Sequence, residues 1–308
     1  MRLPIKLNRA GWPASFGRLS FVFDDPRPLA KDLTSLSPVE FSAAISTLQF
    51  GVTFKTTHPG RQEYSDRHVL NLYRGSRPVI LDVGASDGST SLDLIRRLGH
   101  NFDRYYVTDL NLFTSFGYHR GVLYFLDQHG RCTLRASQRF IVYSDTERAQ
   151  PLLSKLAQWL ISRSRKVRDW REILLIQPEL INLASEDRRV SILPYDMFTP
   201  WKGETPDLIK IANLLNGKYF SAAQMRQAVA IQCANLAVGG RLLLVSEDDG
   251  IEKFSVFRKT EAGMILEHTH GGGAKAAPYV PLPDDVRNGI PAGKFAATCA
   301  SLGAFHQS

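Results

Sequence analysis

Cysteine is scarce: the 308 residues include Cys132, Cys233 and Cys299, far apart and with no C-x-x-C pair. This argues against a disulfide scaffold and a cysteine-rich zinc site, and it fits a reducing, cytoplasmic compartment. Long apolar runs are missing too. No stretch approaches the ~20 residues needed to span a bilayer. Arg2, Lys6, Arg9 and Arg18 precede the first acid, Asp24, but no apolar signal core follows them. The N-terminus therefore reads as a basic arm. There is no internal repeat of the period that builds solenoids. Acids are the minority charge, 30 against 38 Lys and Arg, for a net charge of +8. That balance suits an anionic partner such as a nucleic acid, a phosphorylated metabolite or an acidic membrane surface. It suits a mildly basic enzyme with a solvated surface equally well.

The composition is otherwise ordinary, 44% hydrophobic and 22% charged, and the length suffices for a full core. Residues 1–75 read as an N-terminal arm with helices. Ser37 is a cap and Pro38 a first helical residue for one of them, and 61–74 suggest another with Tyr64, His68, Val69 and Leu72 on one side. Pro78-Val-Ile-Leu-Asp82 is an apolar strand that runs into a glycine-containing turn. A helix follows through Leu92, Leu94, Ile95 and Leu98 to Gly99, and then a second strand, Tyr105 to Asp109. Strand, helix, strand is the unit of a parallel sheet. Further strands are predicted at Val190–Leu193, Leu208–Ile211 and Arg241–Ser246, with a helix from about Ser221 to Leu236. A final hairpin is predicted from Lys253–Arg258 to Met264–Thr269. The tail, 271–308, is rich in Gly, Ala and Pro and reads as loop.

About 80 residues separate Asp109 from Val190, far more than a β-α-β step requires. Two alternating segments there, Gly121–Leu126 and Cys132–Tyr143, predict a hairpin. Residues 151–170 predict an amphipathic helix. Its apolar side carries Leu152, Leu153, Leu156, Trp159, Leu160, Val167 and Trp170, and Lys155, Arg163, Arg165, Lys166 and Arg168 line the other side. The core thus reads as 76–270 with an insertion at about 118–188.

The turn after the first strand has the spacing D-x-G-x-x-x-G, Asp82 through Gly84 to Gly88. Glycine is required where backbone must come close to a ligand. A pyrophosphate would favour G-x-G-x-x-G with an apolar residue before it. Here an acid stands two residues before the first glycine, which suits a cationic ligand. Asp109 ends the second strand 21 residues after Gly88, the spacing at which an acid receives ribose hydroxyls. A ribose joined to a positive group describes S-adenosylmethionine. Helix capping or turn polarity would account for the same acids without a ligand.

At these residues the chain resembles the class I S-adenosylmethionine-dependent methyltransferases. The matching segments are Asp82-Val-Gly84-Ala85-Ser86-Asp87-Gly88, Val107-Thr-Asp109, Leu193-Pro-Tyr-Asp196-Met197-Phe198, Asp207 to Asn213, and Leu236 to Glu247 with Gly239-Gly240. They cover about 78–118 and 188–270 in the family's order. Ser86 replaces a common middle glycine. The resemblance implies an α/β, Rossmann-like, seven-stranded and mostly parallel sheet with a terminal antiparallel strand, carrying a β-hairpin/helix insertion. It implies that the turn from Gly84 to Gly88, including Ala85, Ser86 and Asp87, faces the methionine part of the cofactor. Asp109, followed by Leu110, would bind the ribose, and Asp196 would accept from the adenine amine beside Met197 and Phe198. Asn213 would stand at the mouth of the reaction site. A weaker local similarity, Asn213 to Gln224 and Gly239 to Glu247, is to the chemotaxis-receptor glutamate methyltransferases, whose N-terminal helical domain is not recognisable here.

Methyl transfer requires an aligned nucleophile, and a base when the acceptor is a hydroxyl. Candidates for that base are His268 and His270, which alternate on one side of a strand before Gly271–Gly273, and His119. Lys210 and Asn213 are further polar candidates. Two histidines without a third ligand do not make a metal site. Nothing matches the Asn-Pro-Pro-Tyr, Asp-Pro-Pro-Tyr or Pro-Cys signatures of base methylation, and no basic stretch is interleaved with aromatics. The expectation is O- or N-methylation of a small-molecule acceptor, and the net charge of +8 suits an anionic one. The alternatives are an RNA or protein methyltransferase that uses the basic insertion, and a catalytically silent cofactor-binding module. The basic helix, 151–171, is also suited to peripheral contact with a membrane.

Overall fold

The structure, a computed structural model, describes residues 4–13, 15, 21–31, 33–50, 53–55, 59–144 and 151–283. Arg2 and Arg18 of the basic arm, Cys299 and the tail from 284 onward lie outside the described residues. The chain divides into two compact units, Met1–His58 with Asn111–Ile181 and Pro59–Leu110 with Asn182–Ser308. These limits cut the chain differently from the expected ones, because the N-terminal segment folds with the insertion.

In chain order, the first segment contributes β1 (Ile5–Asn8), β2 (Val22–Phe23), α1 (Pro38–Ile45), β3 (Gln49–Phe50) and β4 (Thr53–Phe54). Then come α2 (Glu63–Leu72), β5 (Val79–Val83), α3 (Ser89–Leu98) and β6 (Arg104–Asp109). The long connection holds β7 (Phe113–His119), β8 (Val122–Leu126), β9 (Cys132–Ala136), β10 (Phe140–Tyr143), α4 (Pro151–Ser162) and β11 (Trp170–Leu174). The remainder is α5 (Pro178–Glu186), β12 (Val190–Pro194), β13 (Leu208–Ala212), α6 (Ala222–Asn235), β14 (Arg241–Asp248), β15 (Ile251–Thr260) and β16 (Gly263–His270).

The unit formed by Met1–His58 and Asn111–Ile181 is built on a seven-stranded sheet in the order β11-β7-β8-β9-β10-β1-β2. The expected basic arm is therefore a strand from Ile5 onward. Ile5, Lys6 and Leu7 pair with Val142, Ile141 and Phe140, because unpaired backbone at the β10 edge accepts another strand. Phe41, Ile45, Phe116, Leu123, Phe125, Leu134 and Ile141 form its core. The expected helix over 151–170 stops at Ser162 and gives way to a 3-10 turn, Arg163–Lys166. From Trp170 the chain is a strand, paired antiparallel with β7. Gly117 in β7 makes this passage possible, since a Cβ there would lie 2.4 Å from Val167 Cγ1 and 2.6 Å from the Asp169 carbonyl.

The second unit has the expected Rossmann-like α/β fold. Its sheet runs β12-β6-β5-β13-β14-β15-β16. β12, β6, β5, β13 and β14 are mutually parallel, and β15 is antiparallel to both of its neighbours, β14 and β16. Val79–Val83 is buried throughout, as expected of a parallel strand covered on both faces. Ser221 caps α6 through a reciprocal capping box with Gln224, which satisfies two donors at the helix start. Met225, Val229 and Cys233 of α6 pack with Leu81, Val83, Ile209, Ile211, Leu242 and Leu244. The loop after β16 is part of this core, with Ala274, Ala276, Ala277 and Val280 buried in it.

From β5 the chain moves outward through β6 to β12, then returns to the other side of β5 for β13 and β14. The strand order thus reverses between β5 and β13, and in open α/β sheets ligands bind outside the strand ends at such a point. The register brings those ends level: Val83 with Thr108 and Ile211, Pro194 with Asp109, and Ala212 with Val245. Among the described residues, no helix is long and apolar enough to cross a membrane.

Candidate functional site

The turn leaving β5 is held by its own backbone. Gly84 and Ala85 both donate to the Thr108 carbonyl, at 2.8 and 2.9 Å, and Gly88 donates to Ala85 at 2.9 Å. Gly84, Ser86 and Gly88 all have positive φ, 73°, 61° and 79°. That conformation costs an L-residue roughly 1–2 kcal/mol. Ser86 is held in it by its N–H, which donates to Asp109 Oδ2 at 2.8 Å. Asp109 is therefore tied to the turn from the tip of the neighbouring strand. A Cβ on Gly84 would lie 2.5 Å from Leu214 Cδ2, so the loops after β5 and β13 are in close contact. Gly84→Ala is expected to destabilise the fold by about 1–3 kcal/mol, combining positive φ with displacement of Leu214. Thermal unfolding of the variant checks this.

Asp87 lies at the start of α3, and its Oδ1 accepts from Ser89 N at 2.9 Å and Ser89 Oγ at 2.7 Å. It is fully buried. A carboxylate thus already sits at the helix N-terminus, where a phosphate would otherwise be drawn.

Asp82 lies behind the turn. Its Oδ2 accepts from Tyr105 Oη at 2.8 Å, Ser91 Oγ at 2.9 Å and Lys210 Nζ at 3.2 Å, and the residue is 2% exposed. The expected contact between this carboxylate and a cationic ligand is replaced by a buried ion pair with Lys210. Asp82 joins β5, β6, α3 and β13 beneath the turn. Lys210 is fully enclosed, and its ammonium is committed to Asp82. Its position inside the apolar run Leu208-Ile-Lys-Ile was the sequence signal for a buried partner, because a lone buried cation is strongly disfavoured.

At the end of β12, Asp196 Oδ1 accepts from Phe198 N at 2.9 Å and the Asp196 carbonyl accepts from Thr199 N at 2.9 Å. The segment is anchored to α6. Gln232 Nε2 donates to Tyr195 Oη and to the Met197 carbonyl, both at 2.8 Å, and Asn235 Oδ1 accepts from Trp201 N at 3.1 Å. Met197 is buried in the core, whereas Phe198 is partly exposed and meets Phe220 edge-on at 5.5 Å. Gln232 thus holds the Tyr195–Met197 segment in place, and no sequence motif marks it. Leu110, next to Asp109, is 48% exposed. Asn213, at the end of β13, has φ 57°, and its Oδ1 accepts from Glu247 N at 2.8 Å.

Two of the histidine candidates, His268 and His270, stand elsewhere. β16 is the edge strand, with β13, β14 and β15 between it and β5, so about 19 Å of sheet separates them. There His268 stacks on His68 of α2 with ring centroids 4.3 Å apart, and His270 stacks on Tyr64 at 4.8 Å and on Phe254 at 5.2 Å. Burial, and then the neighbouring His268, lower the His68 pKa to about 4. The folded chain therefore keeps His68 neutral where the unfolded chain protonates it, below the ordinary 6.5. Its contribution to stability is complete above that pH and is lost as pH falls towards 4. The wild type is expected to lose more thermal stability than His68→Gln between pH 7 and pH 4. Equal losses would contradict this. His119 ends β7 in the other unit.

No family model matches the chain, and no curated protein matches it. Among solved structures it is similar to the N-methyltransferase NodS from Bradyrhizobium japonicum WM9 in complex with S-adenosyl-L-homocysteine, at 14% identity, 71% of each chain and TM-score 0.32. It is similar to S-adenosylmethionine-bound CalS10, an amino pentose methyltransferase from Micromonospora echinaspora, at 20% identity, 66% of this chain, 63% of that one and TM-score 0.28. It is also similar to the apo form of the S-adenosylmethionine-dependent methyltransferase SibL, at 18% identity, 60% of this chain and TM-score 0.30. The match spans 36% of the SibL chain. Each of these proteins is a methyltransferase, and the functional reading of this chain rests on its own strand-tip geometry.

Proposed function

We propose that the chain transfers a methyl group from S-adenosylmethionine to an oxygen or nitrogen of a small-molecule acceptor. The observation that carries this reading is Asp109, held at the tip of β6 by the Ser86 N–H of the glycine turn, beside the reversal in strand order. An acid so placed accepts from ribose hydroxyls. The fit with this cofactor rests on Asp87. A pyrophosphate at this turn would meet a buried carboxylate at the helix start, whereas the ammonium and sulfonium of S-adenosylmethionine would be attracted.

In this reading Gly84 to Gly88 takes the methionine end and Asp109 the ribose. Asp196 would accept from the adenine amine, and Phe198 would stand beside the ring. Met197 supports that segment from the core, and the Asp82–Lys210 pair fixes the turn from behind. Bound S-adenosylmethionine supplies a methyl group on a sulfonium, which departs as a neutral thioether. The chain's own contribution is then to align the acceptor for in-line displacement and to exclude water, a source of large rate effects. Asn213 Oδ1 and the Lys210 ammonium are both engaged in the fold, which favours an acceptor that is nucleophilic without a base, such as a neutral amine or a carboxylate.

Incubation with methyl-labelled S-adenosylmethionine and fractionated cell extract tests the reading. Label is expected in the small-molecule fraction. Label confined to RNA or to protein would replace the acceptor class, and cofactor binding without transfer to any fraction would indicate a silent module.

A further inference from the structure

α4 exposes the face that an amphipathic helix ordinarily buries. Leu152 is 82% exposed, Trp159 54% and Leu156 44%. At spacings of four and three residues these side chains lie along one stripe. Ala157, on the opposite side, is the buried residue of this helix, which packs on β9 and β10. Part of the apolar side of this helix therefore faces outward, as the cations do. Lys155 and Arg163 flank the outward stripe, and the Arg163 guanidinium lies 4.0 Å over the Trp159 ring. Arg165, Lys166 and Arg168 follow, all exposed. No acid occurs between Pro151 and Arg168.

We infer that this face of α4, with the basic segment that follows it, docks on the anionic surface of a lipid bilayer. Leucines inserted to the depth of the acyl boundary, an indole at the headgroup level and cations reaching the phosphates are what an interfacial helix presents. Lysine and arginine stems can lie along the apolar surface with their charges in the headgroup layer. A second copy of the chain fits this face poorly, since a symmetric pairing would bring two like clusters of cations together. Three apolar side chains and a short basic run make such docking reversible and salt-sensitive.

Sedimentation of the full chain with vesicles tests the inference. Binding is expected to vesicles of phosphatidylcholine with phosphatidylserine, to be much weaker with phosphatidylcholine alone, and to fall as salt rises. Lys155→Glu with Arg163→Glu is expected to weaken binding roughly 30-fold or more, at about 1 kcal/mol for each charge near the surface. Leu152→Ser with Leu156→Ser and Trp159→Ser should also release the protein. These positions are exposed, and an unchanged melting curve for each variant will show that the fold is retained. Trp159 fluorescence, isolated by comparison with Trp159→Phe, should shift to the blue on anionic vesicles. Failure of the wild type to sediment with anionic vesicles would overturn the inference, as would binding that the variants leave intact. A dimer that forms without lipid and is lost in the serine variant would assign the face to a second copy instead.

Discussion

Asp109→Ala is expected to weaken binding of S-adenosylmethionine by roughly 10- to 150-fold, the loss of about 1.5–3 kcal/mol that accompanies removal of a charged hydrogen-bond partner. Two consequences combine at this residue. The acceptor assigned to the ribose disappears, and Ser86 N loses the carboxylate oxygen that it meets at 2.8 Å. Ser86 is held at φ 61°, a conformation with little intrinsic support in a serine, so the turn should relax as well. Asp109→Asn separates the two effects. It keeps an acceptor oxygen for Ser86 N but puts a donor where the ribose would meet an acceptor, so its affinity should fall between those of wild type and alanine variant. Equal affinity in all three proteins, measured by calorimetry, would remove Asp109 from the site.

Lys210→Met is expected to cost about 3–5 kcal/mol of stability, because it leaves Asp82 buried without its cation. The two are 3.2 Å apart, with side chains 0% and 3% exposed. Pairing Lys210→Met with Asp82→Asn should recover part of the loss. The asparagine oxygen can still accept from Tyr105 Oη and Ser91 Oγ, which hold Asp82 at 2.8 and 2.9 Å, and no isolated charge remains. Denaturant unfolding of the single and double variants reports the coupling directly. If the two single losses simply add in the double variant, the pair does not act as a unit.

The parts of the fold that are legible in the sequence share one physical property. β5, β13 and β14 are apolar runs between turn residues, buried on both faces, and each starts or stops near the expected residue. The capping residues Ser37 and Ser221 mark α1 and α6 directly. The elements that were missed depend on distant partners. β1 is an unremarkable tetrapeptide until it meets β10, more than 130 residues later. β11 continues the apolar period of α4 and becomes a strand through its pairing with β7. Gly117 interrupts the alternation of β7, so that strand too is hidden until Val167 and Asp169 are seen to cross it.

The candidate site divides in the same way. The glycine turn and the acid closing β6 are local patterns, and the structure brings them within a hydrogen bond of each other. The direction in which a carboxylate points is not a local property. Asp82 faces inward because Lys210, on a strand far along the chain, lies across from it. His268 and His270 read as catalytic because of their spacing, yet β16 occupies the sheet edge and α2 supplies His68 and Tyr64 to cover them.

Calorimetric titration of the wild-type chain, with S-adenosylmethionine and separately with a nicotinamide dinucleotide, tests the central claim most directly. Saturable binding of the first at one site, with none of the second, is the expected result. No heat with S-adenosylmethionine, or binding of the dinucleotide at the turn between Gly84 and Gly88, would contradict it.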